Sequence, residues 1–184
     1  MGFLDSIKRG LRLIKLDGKA AAEIAKDSNS TLYGWLFIII AGLVNVLASL
    51  ILFIFSPYEL LYGLAYYVGL GLLWILILHG LAKLFGGKSK LKEYFRAQSH
   101  VSLLSWLSIL TMVNIKFLPD IIGLMISIWS IVMTIVVVKA VHEISTWKAI
   151  IVALALPLIL IILVLIGGLA YFGVLNPDQF LPSV

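Results

Sequence analysis

The sequence has no cysteine and little charge: of its 184 residues, 12% are charged and 62% are hydrophobic. The absence of cysteine excludes disulfides, thiol-attached haem, iron–sulfur clusters and thiolate zinc sites. The shortage of charge excludes a soluble domain of this size, because so apolar a chain needs lipid as its solvent. The apolar runs recur between residues 32 and 172 without a long polar insert. They therefore indicate one compact bundle.

The sequence also lacks the patterns that accompany catalysis. It contains no phosphate-binding Walker loop, no Gly-x-Ser-x-Gly elbow and no paired carboxylates within an apolar run. The centres of the apolar runs are free of Asp, Glu, Lys and Arg, whereas coupled transporters and proton relays usually need an intramembrane ionisable group. We therefore expect no enzymatic activity and no cofactor.

Five apolar runs are long enough to cross a hydrocarbon layer of about 30 Å at about 1.5 Å per residue. The predicted spans are residues 32–55, 60–82, 97–115, 121–138 and 149–172. Residues 1–31 are predicted to be a cytoplasmic amphipathic segment, and residues 173–184 an external tail. The predicted fold class is an all-α integral membrane protein, a five-transmembrane-helix bundle with an N-terminal amphipathic interfacial helix.

The positions of the basic residues predict the orientation. Except for Lys116, every lysine and arginine lies before the first predicted span, between the second and third, or between the fourth and fifth. Because positive residues near span ends stay in the cytoplasm, the N-terminus is predicted inside and the C-terminus outside. The net charge of +5 is therefore expected to interact with lipid head groups and not with nucleic acid, because the basic residues lie next to the ends of the predicted spans.

The N-terminal segment combines an apolar stripe with flanking cations. Phe3, Leu4, Ile7, Leu11 and Ile14 share one face of a helix that Asp17-Gly18 should break into two pieces. Such a helix either rests in the membrane interface or packs on the ends of the spans as a positive-inside anchor.

The opening residues also fit the pattern for myristoylation of Gly2. The residues predicted to bind a partner or anionic lipid are Lys8, Arg9, Arg12, Lys15, Lys88, Lys90, Lys92, Arg96 and Lys148.

Polar residues recur inside the third and fourth predicted spans. Those of the third span are three residues apart, and on an α-helix they would wind around the axis as a ridge without forming one flat face. Two interpretations are open: hydrogen-bonded helix contacts, or a pathway for an ion or small solute. The predicted interhelical polar residues are Asn45, Ser102, Ser105, Ser108, Thr111, Ser127, Ser130 and Thr134.

The three histidines are weak candidates for a metal site. His79, His100 and His142 are all predicted near the cytoplasmic interface, but none shares a metal-binding spacing with another on one helix.

Gly86-Gly87 is predicted to cap the second span with a positive φ. Small residues four apart, such as Ala65 and Gly69, would allow close helix packing within one chain or in a homo-oligomer.

The order of spans and short motifs resembles the Yip-domain family, five-span membrane proteins named for interaction with Ypt/Rab GTPases, and especially its prokaryotic branch. Residues 31–35 resemble the Asp-Leu-Tyr-Gly-Pro motif of eukaryotic members, with the aspartate and the proline replaced. The other matching stretches are residues 12–18, 22–25, 78–88, 92–96, 128–130 and 138–149.

The resemblance implies a non-enzymatic scaffold or adaptor in a prokaryotic cell membrane. On this hypothesis the cytoplasmic face docks a protein partner or anionic lipid, with a role in membrane shaping or trafficking. The alternative is a channel or permease built on the polar third and fourth spans. The expected protein partner is a membrane protein or a cytoplasmic protein.

Overall fold

The structure, a computed structural model, describes residues 2–50, 57–113 and 115–175. Throughout these ranges the regular structure is helical, and no strand occurs in them. The elements are α1 (Phe3–Ile14), α2 (Gly18–Lys26), α3 (Ser30–Leu50), α4 (Pro57–Leu84), α5 (Leu91–Ser99), a 3₁₀ helix (His100–Met112), α6 (Leu118–His142) and α7 (Thr146–Leu175).

Four of these helices are long and apolar enough to cross a membrane. Their apolar segments are Ser30–Leu47, Leu60–Leu84, Leu118–His142 and Thr146–Gly167. These helices, α3, α4, α6 and α7, coincide with the first, second, fourth and fifth predicted spans. Residues 51–55 of the first predicted span, and the predicted tail from residue 176 onward, lie outside the described residues.

The third predicted span differs from expectation. Its first residues belong to α5, and a 3₁₀ helix of 13 residues replaces the expected α-helix from His100. A 3₁₀ helix has about 3.0 residues per turn, so side chains three apart are eclipsed. The predicted winding ridge was therefore wrong: Ser102, Ser105, Ser108 and Thr111 form one straight row along the helix.

The N-terminal segment folds as the two predicted pieces. Leu16 adopts a left-handed φ of 65°, which reverses the chain after α1. The Asp17 carboxylate then caps α2 by accepting hydrogen bonds from the N–H groups of Lys19 at 2.9 Å and Ala20 at 3.3 Å. Both helices pack on the ends of the longer ones: α1 lies against the 3₁₀ helix, and α2 against α5 and α6.

The buried core lies toward one end of the bundle. Leu13 of α1, Ile24 of α2, Leu78 of α4 and Val137 of α6 are fully buried there. By contrast, residues 158–166 of α7, beyond the internal Pro157, are at least half exposed on every side and all bulky aliphatic. That is the surface expected of a helix in lipid, since contacts between membrane helices favour small residues.

Candidate functional site at the basic end of the bundle

The buried end of the bundle is also its basic end, which we define as α1, α2, residues 85–90 between α4 and α5, and residues 143–145 between α6 and α7. Ion pairs hold α1 to α2 there. Arg12 lies 2.7 Å from Asp17 and 2.9 Å from Glu23, and Arg9 lies 3.3 Å from Asp27. Hydrogen bonding to Arg12 lowers the pKa of Asp17, and Glu23 is the main cause of the raised pKa of Arg12.

One flank of α1, the inner flank, packs against the protein, and an apolar outer flank is exposed. Ser6, Gly10 and Leu13 are buried against the protein. Of the predicted stripe, Leu4 and Leu11 are 71% and 51% exposed. The predicted apolar face is therefore shared between the bundle and the surroundings, and the exposed part borders Lys8 and Lys15, which are also exposed.

The two loops of the basic end are docked on each other. The Lys88 N–H donates to the His142 carbonyl at 3.1 Å, and its Nζ lies 3.2 Å from Glu143. Lys148 Nζ donates to the Phe85 carbonyl at 3.0 Å, a carbonyl that the end of α4 leaves unpaired. Gly86 has the predicted positive φ, at 88°. The loops thus form one surface.

The predicted binding cations fall into two groups. Arg9, Arg12, Lys88 and Lys148 make the contacts just described, and Arg96 donates to Thr31 Oγ1 at 2.7 Å and to the Ala25 carbonyl at 3.1 Å. The other four are exposed and form no ion pair within the described part of the chain; they are Lys8, Lys15, Lys90 and Lys92.

The side chains of two of the three histidines lie next to each other, and the third lies elsewhere. The rings of His79 and His142 lie 5.0 Å apart, and Tyr94 packs on both. Ser89 Oγ lies 3.0 Å from Nδ1 of His142, and Gly87 leaves room for that ring, because a Cβ there would come within 2.5 Å of the same nitrogen.

His100 occupies a separate buried site between α1 and α3. Ser6 Oγ lies 2.8 Å from its Nε2, the Arg96 carbonyl 2.6 Å from its Nδ1, and Phe37 contacts the ring edge to face. No group of three or more His, Asp or Glu residues suited to a metal ion occurs among the residues that the structure describes. The histidine trio considered as a metal site is therefore not assembled.

A shallow groove, missed at the sequence level, crosses the basic end between α2 and the C-terminal end of α6. It comprises two adjoining cavities of about 350 and 420 Å³ that share Ala140 and Glu143. Small residues of α2, Gly18, Ala22 and Ala25, form one wall. These three residues are four and then three positions apart, so the sequence places them on one face of α2, and this spacing could have predicted the wall of the groove. Lys26, Lys88, Lys139, Glu93 and Glu143 supply charges of both signs.

A larger cavity of about 480 Å³ lies deeper, among α4, the 3₁₀ helix, α6 and α7. It brings together five of the predicted interhelical polar residues, Ser102, Ser105, Ser127, Ser130 and Thr134. The other three do not line it. Asn45 donates to the Ala41 carbonyl at 2.8 Å, Thr111 donates to the Ser108 carbonyl at 2.6 Å, and the buried Ser108 Oγ has no partner within the described residues.

A buried polar chain connects this cavity with the histidine pair. The Tyr94 hydroxyl donates to Gln98 Oε1 at 3.2 Å, and Gln98 Nε2 donates to Thr134 Oγ1 at 2.9 Å. Gln98 and Thr134 line the cavity, whereas Tyr94 packs on His79 and His142. Sequence reasoning missed Gln98, because it precedes the three-residue row. The result is a polar layer beneath the basic end.

Comparison with known proteins identifies the family. No curated protein and no solved structure matches the chain. The family model described as the Yip1 domain matches residues 12–168. The match includes the last turn of α1, all of α2 to α6, most of α7 and the loops of the basic end, and it confirms the resemblance drawn from the sequence motifs. The chain is thus a multi-pass membrane protein and belongs to the Yip1-domain family.

Proposed function

We propose that this chain is a non-enzymatic membrane scaffold or adaptor whose basic end faces the cytoplasm and docks anionic lipid or a protein partner there. One observation supports this most directly: exposed lysines and the exposed apolar flank of α1 occur together on a surface fixed by internal ion pairs. Leu4 and Leu11 would enter the membrane interface while Lys8 and Lys15 reach head groups.

The proposal includes a fifth crossing formed by α5 and the 3₁₀ helix. Nine residues at about 1.5 Å and 13 residues at about 2.0 Å per residue give a length of about 40 Å, enough to traverse the hydrocarbon layer. An odd number of crossings keeps the three basic segments on one side, as the positive-inside rule requires. The N-terminus is then cytoplasmic and the C-terminus external.

The channel alternative has less support. The row of hydroxyls on the 3₁₀ helix contributes Ser102 and Ser105 to the deep cavity, but Ser108 and Thr111 do not line it. The Thr111 hydroxyl is also satisfied by its own helix. The cavity walls contain no charged residue that could couple transport to an ion gradient.

The docking surface is tested at the four lysines of the predicted binding set that form no ion pair within the described residues. The variant carries Lys8→Gln, Lys15→Gln, Lys90→Gln and Lys92→Gln, and the matched control carries Arg at the same positions. Each protein is placed in neutral nanodiscs and mixed with phosphatidylcholine vesicles, with or without phosphatidylglycerol. Each lysine near a charged surface contributes about 1 kcal/mol, so the Gln variant should lose capture of anionic vesicles while the Arg control retains it.

Protein partners are tested by cross-linking in native membranes. Proteins captured by wild type and by the Arg control, but not by the Gln variant, are partners of the lysine surface. Equal vesicle capture together with an equal cross-linking profile for all three chains would contradict the docking proposal.

A further inference from the structure

The deep cavity lies at the middle of the membrane-spanning helices. Gly71 and Ser130, which line it from α4 and α6, fall at or next to the midpoints of Leu60–Leu84 and Leu118–His142. The rim includes Tyr66 and Leu70, which are 61% and 47% exposed. Because these helices are surrounded by lipid, the cavity opens sideways toward the acyl chains.

The cavity presents uncharged polar groups and no charge. Its walls are mostly apolar, and they carry the hydroxyls of Ser102, Ser105, Ser130 and Thr134 along one side. The Thr134 hydroxyl accepts a hydrogen bond from Gln98 Nε2, and the Ser105 hydroxyl interacts with the Tyr67 hydroxyl. Those of Ser102 and Ser130 make no hydrogen bond within the described part of the chain, and a hydroxyl at membrane depth is unfavourable without a partner.

We propose that this cavity binds one uncharged lipid that carries a hydroxyl group, such as a diacylglycerol or an isoprenoid alcohol. The hydroxyl would pair with Ser102 and Ser130, and the hydrocarbon would lie against Trp74 and the apolar walls. The volume of about 480 Å³ is within the range of roughly 300–1,000 Å³ typical of ligand pockets.

The depth of the cavity selects against the common phospholipids. Its polar side is near the bilayer midplane, where a phosphate group would lose its hydration, and no Lys, Arg or His lines the cavity to compensate. A neutral hydroxyl carries a much smaller desolvation cost, and the serine row supplies both donors and acceptors for it. The inference does not depend on the orientation of the chain or on the docking proposal.

Two glycines of α4 provide a matched pair of variants. Gly71 lines the cavity and Gly69 does not, and a Cβ added at either position would meet no atom within 4 Å. Gly71→Leu should fill the cavity without disturbing the helix, while Gly69→Leu adds the same side chain outside it. Both variants gain helix propensity relative to glycine, so a difference between them reports on the cavity.

The experiment uses the full chain in nanodiscs with a diazirine-bearing diacylglycerol at low mole fraction. Adducts are mapped by mass spectrometry, with unlabelled diacylglycerol as competitor and a diazirine phosphatidylglycerol of the same chains as the comparison probe. We expect saturable adducts on cavity residues for the diacylglycerol, about tenfold weaker in Gly71→Leu because the leucine occupies the ligand volume, and unchanged in Gly69→Leu.

A second variant separates hydrogen bonding from shape. Ser102→Ala with Ser130→Ala leaves the cavity open and should reduce the preference for diacylglycerol over a hydroxyl-free analogue of the same length. The proposal is overturned if adducts are unsaturable and spread over residues 158–166 of α7, if phosphatidylglycerol labels the cavity equally, or if the two leucine variants bind alike.

Discussion

The Ser6 hydroxyl lies 2.8 Å from Nε2 of His100, although 94 residues separate the two in the chain. Both side chains are fully buried, and the other ring nitrogen of His100 lies 2.6 Å from the Arg96 carbonyl. The contact therefore joins α1 to the start of the 3₁₀ helix through a polar pair with no access to water. It fixes the inner flank of α1 and, with it, the direction in which Leu4 and Leu11 are presented.

Replacing Ser6 with alanine should loosen α1 from the bundle. The buried Nε2 of His100 would lose its partner, which costs about 1–3 kcal/mol. We expect faster amide hydrogen exchange across α1 and a lower midpoint of thermal unfolding in detergent. Ser28→Ala is the control, because Ser28 is exposed in the turn before α3 and should leave both measurements unchanged. An α1 as protected in Ser6→Ala as in wild type would contradict this role for the pair.

Gly87 should tolerate no side chain, because its Cβ would come within 2.5 Å of His142 Nδ1 and 2.7 Å of the Ala82 carbonyl. Gly87→Ala must displace the His142 ring or the end of α4, at a cost of about 1–3 kcal/mol. Gly80→Ala is the control: Gly80 lies in α4, seven residues before Gly87, and is exposed, with nothing within 4 Å of an added Cβ. The midpoint of thermal unfolding should be lower than wild type for Gly87→Ala, and equal to or higher than wild type for Gly80→Ala. Equal midpoints for the two variants would show that the His142 ring moves aside without cost.

The sequence was sufficient for the features that depend on local pattern. The α3, α4, α6 and α7 spans follow from runs of apolar residues, and the break at Asp17-Gly18 follows from turn chemistry. It was insufficient where helix type depends on packing. Residues three apart on the 3₁₀ helix align in one row, whereas the same residues on an α-helix would not.

Pairing between distant side chains was the other feature that the sequence did not reveal. Arg12 was predicted from the sequence to bind a partner or anionic lipid, but the reversal at Leu16 brings α2 back and places Glu23 2.9 Å from Arg12. The three histidines looked equivalent along the chain. Only the packing of α4 against the end of α6 joins His79 to His142, while α1 covers His100.

The pairing of Arg12 with Asp17 should make the α1–α2 segment sensitive to acid. The folded pKa of Asp17 is lowered, mainly by its hydrogen bond to Arg12, so its contribution is present above the unfolded pKa of about 3.9 and is lost as pH falls through the lower folded value. Asp17→Asn removes the charge but keeps a good helix cap. The rate of amide hydrogen exchange in α1 and α2, or the nuclear magnetic resonance chemical shifts of their amides, should change less on acidification in Asp17→Asn than in wild type. Asp120→Asn, distant from this segment, should keep the wild-type response, and an unchanged response in Asp17→Asn would refute the assignment.

The absence of cysteine makes the proposed topology directly measurable. Lys90→Cys and Lys116→Cys each introduce one thiol into a chain that otherwise has none, one at the basic end and one just before α6. If α5 and the 3₁₀ helix cross the membrane, a membrane-impermeant maleimide should label Lys116→Cys in intact cells and Lys90→Cys only after permeabilisation. The unsubstituted chain provides the background. Labelling of neither residue from outside would mean that the 3₁₀ helix does not cross, and labelling of Lys90→Cys from outside would place the basic end on the wrong face for the docking function.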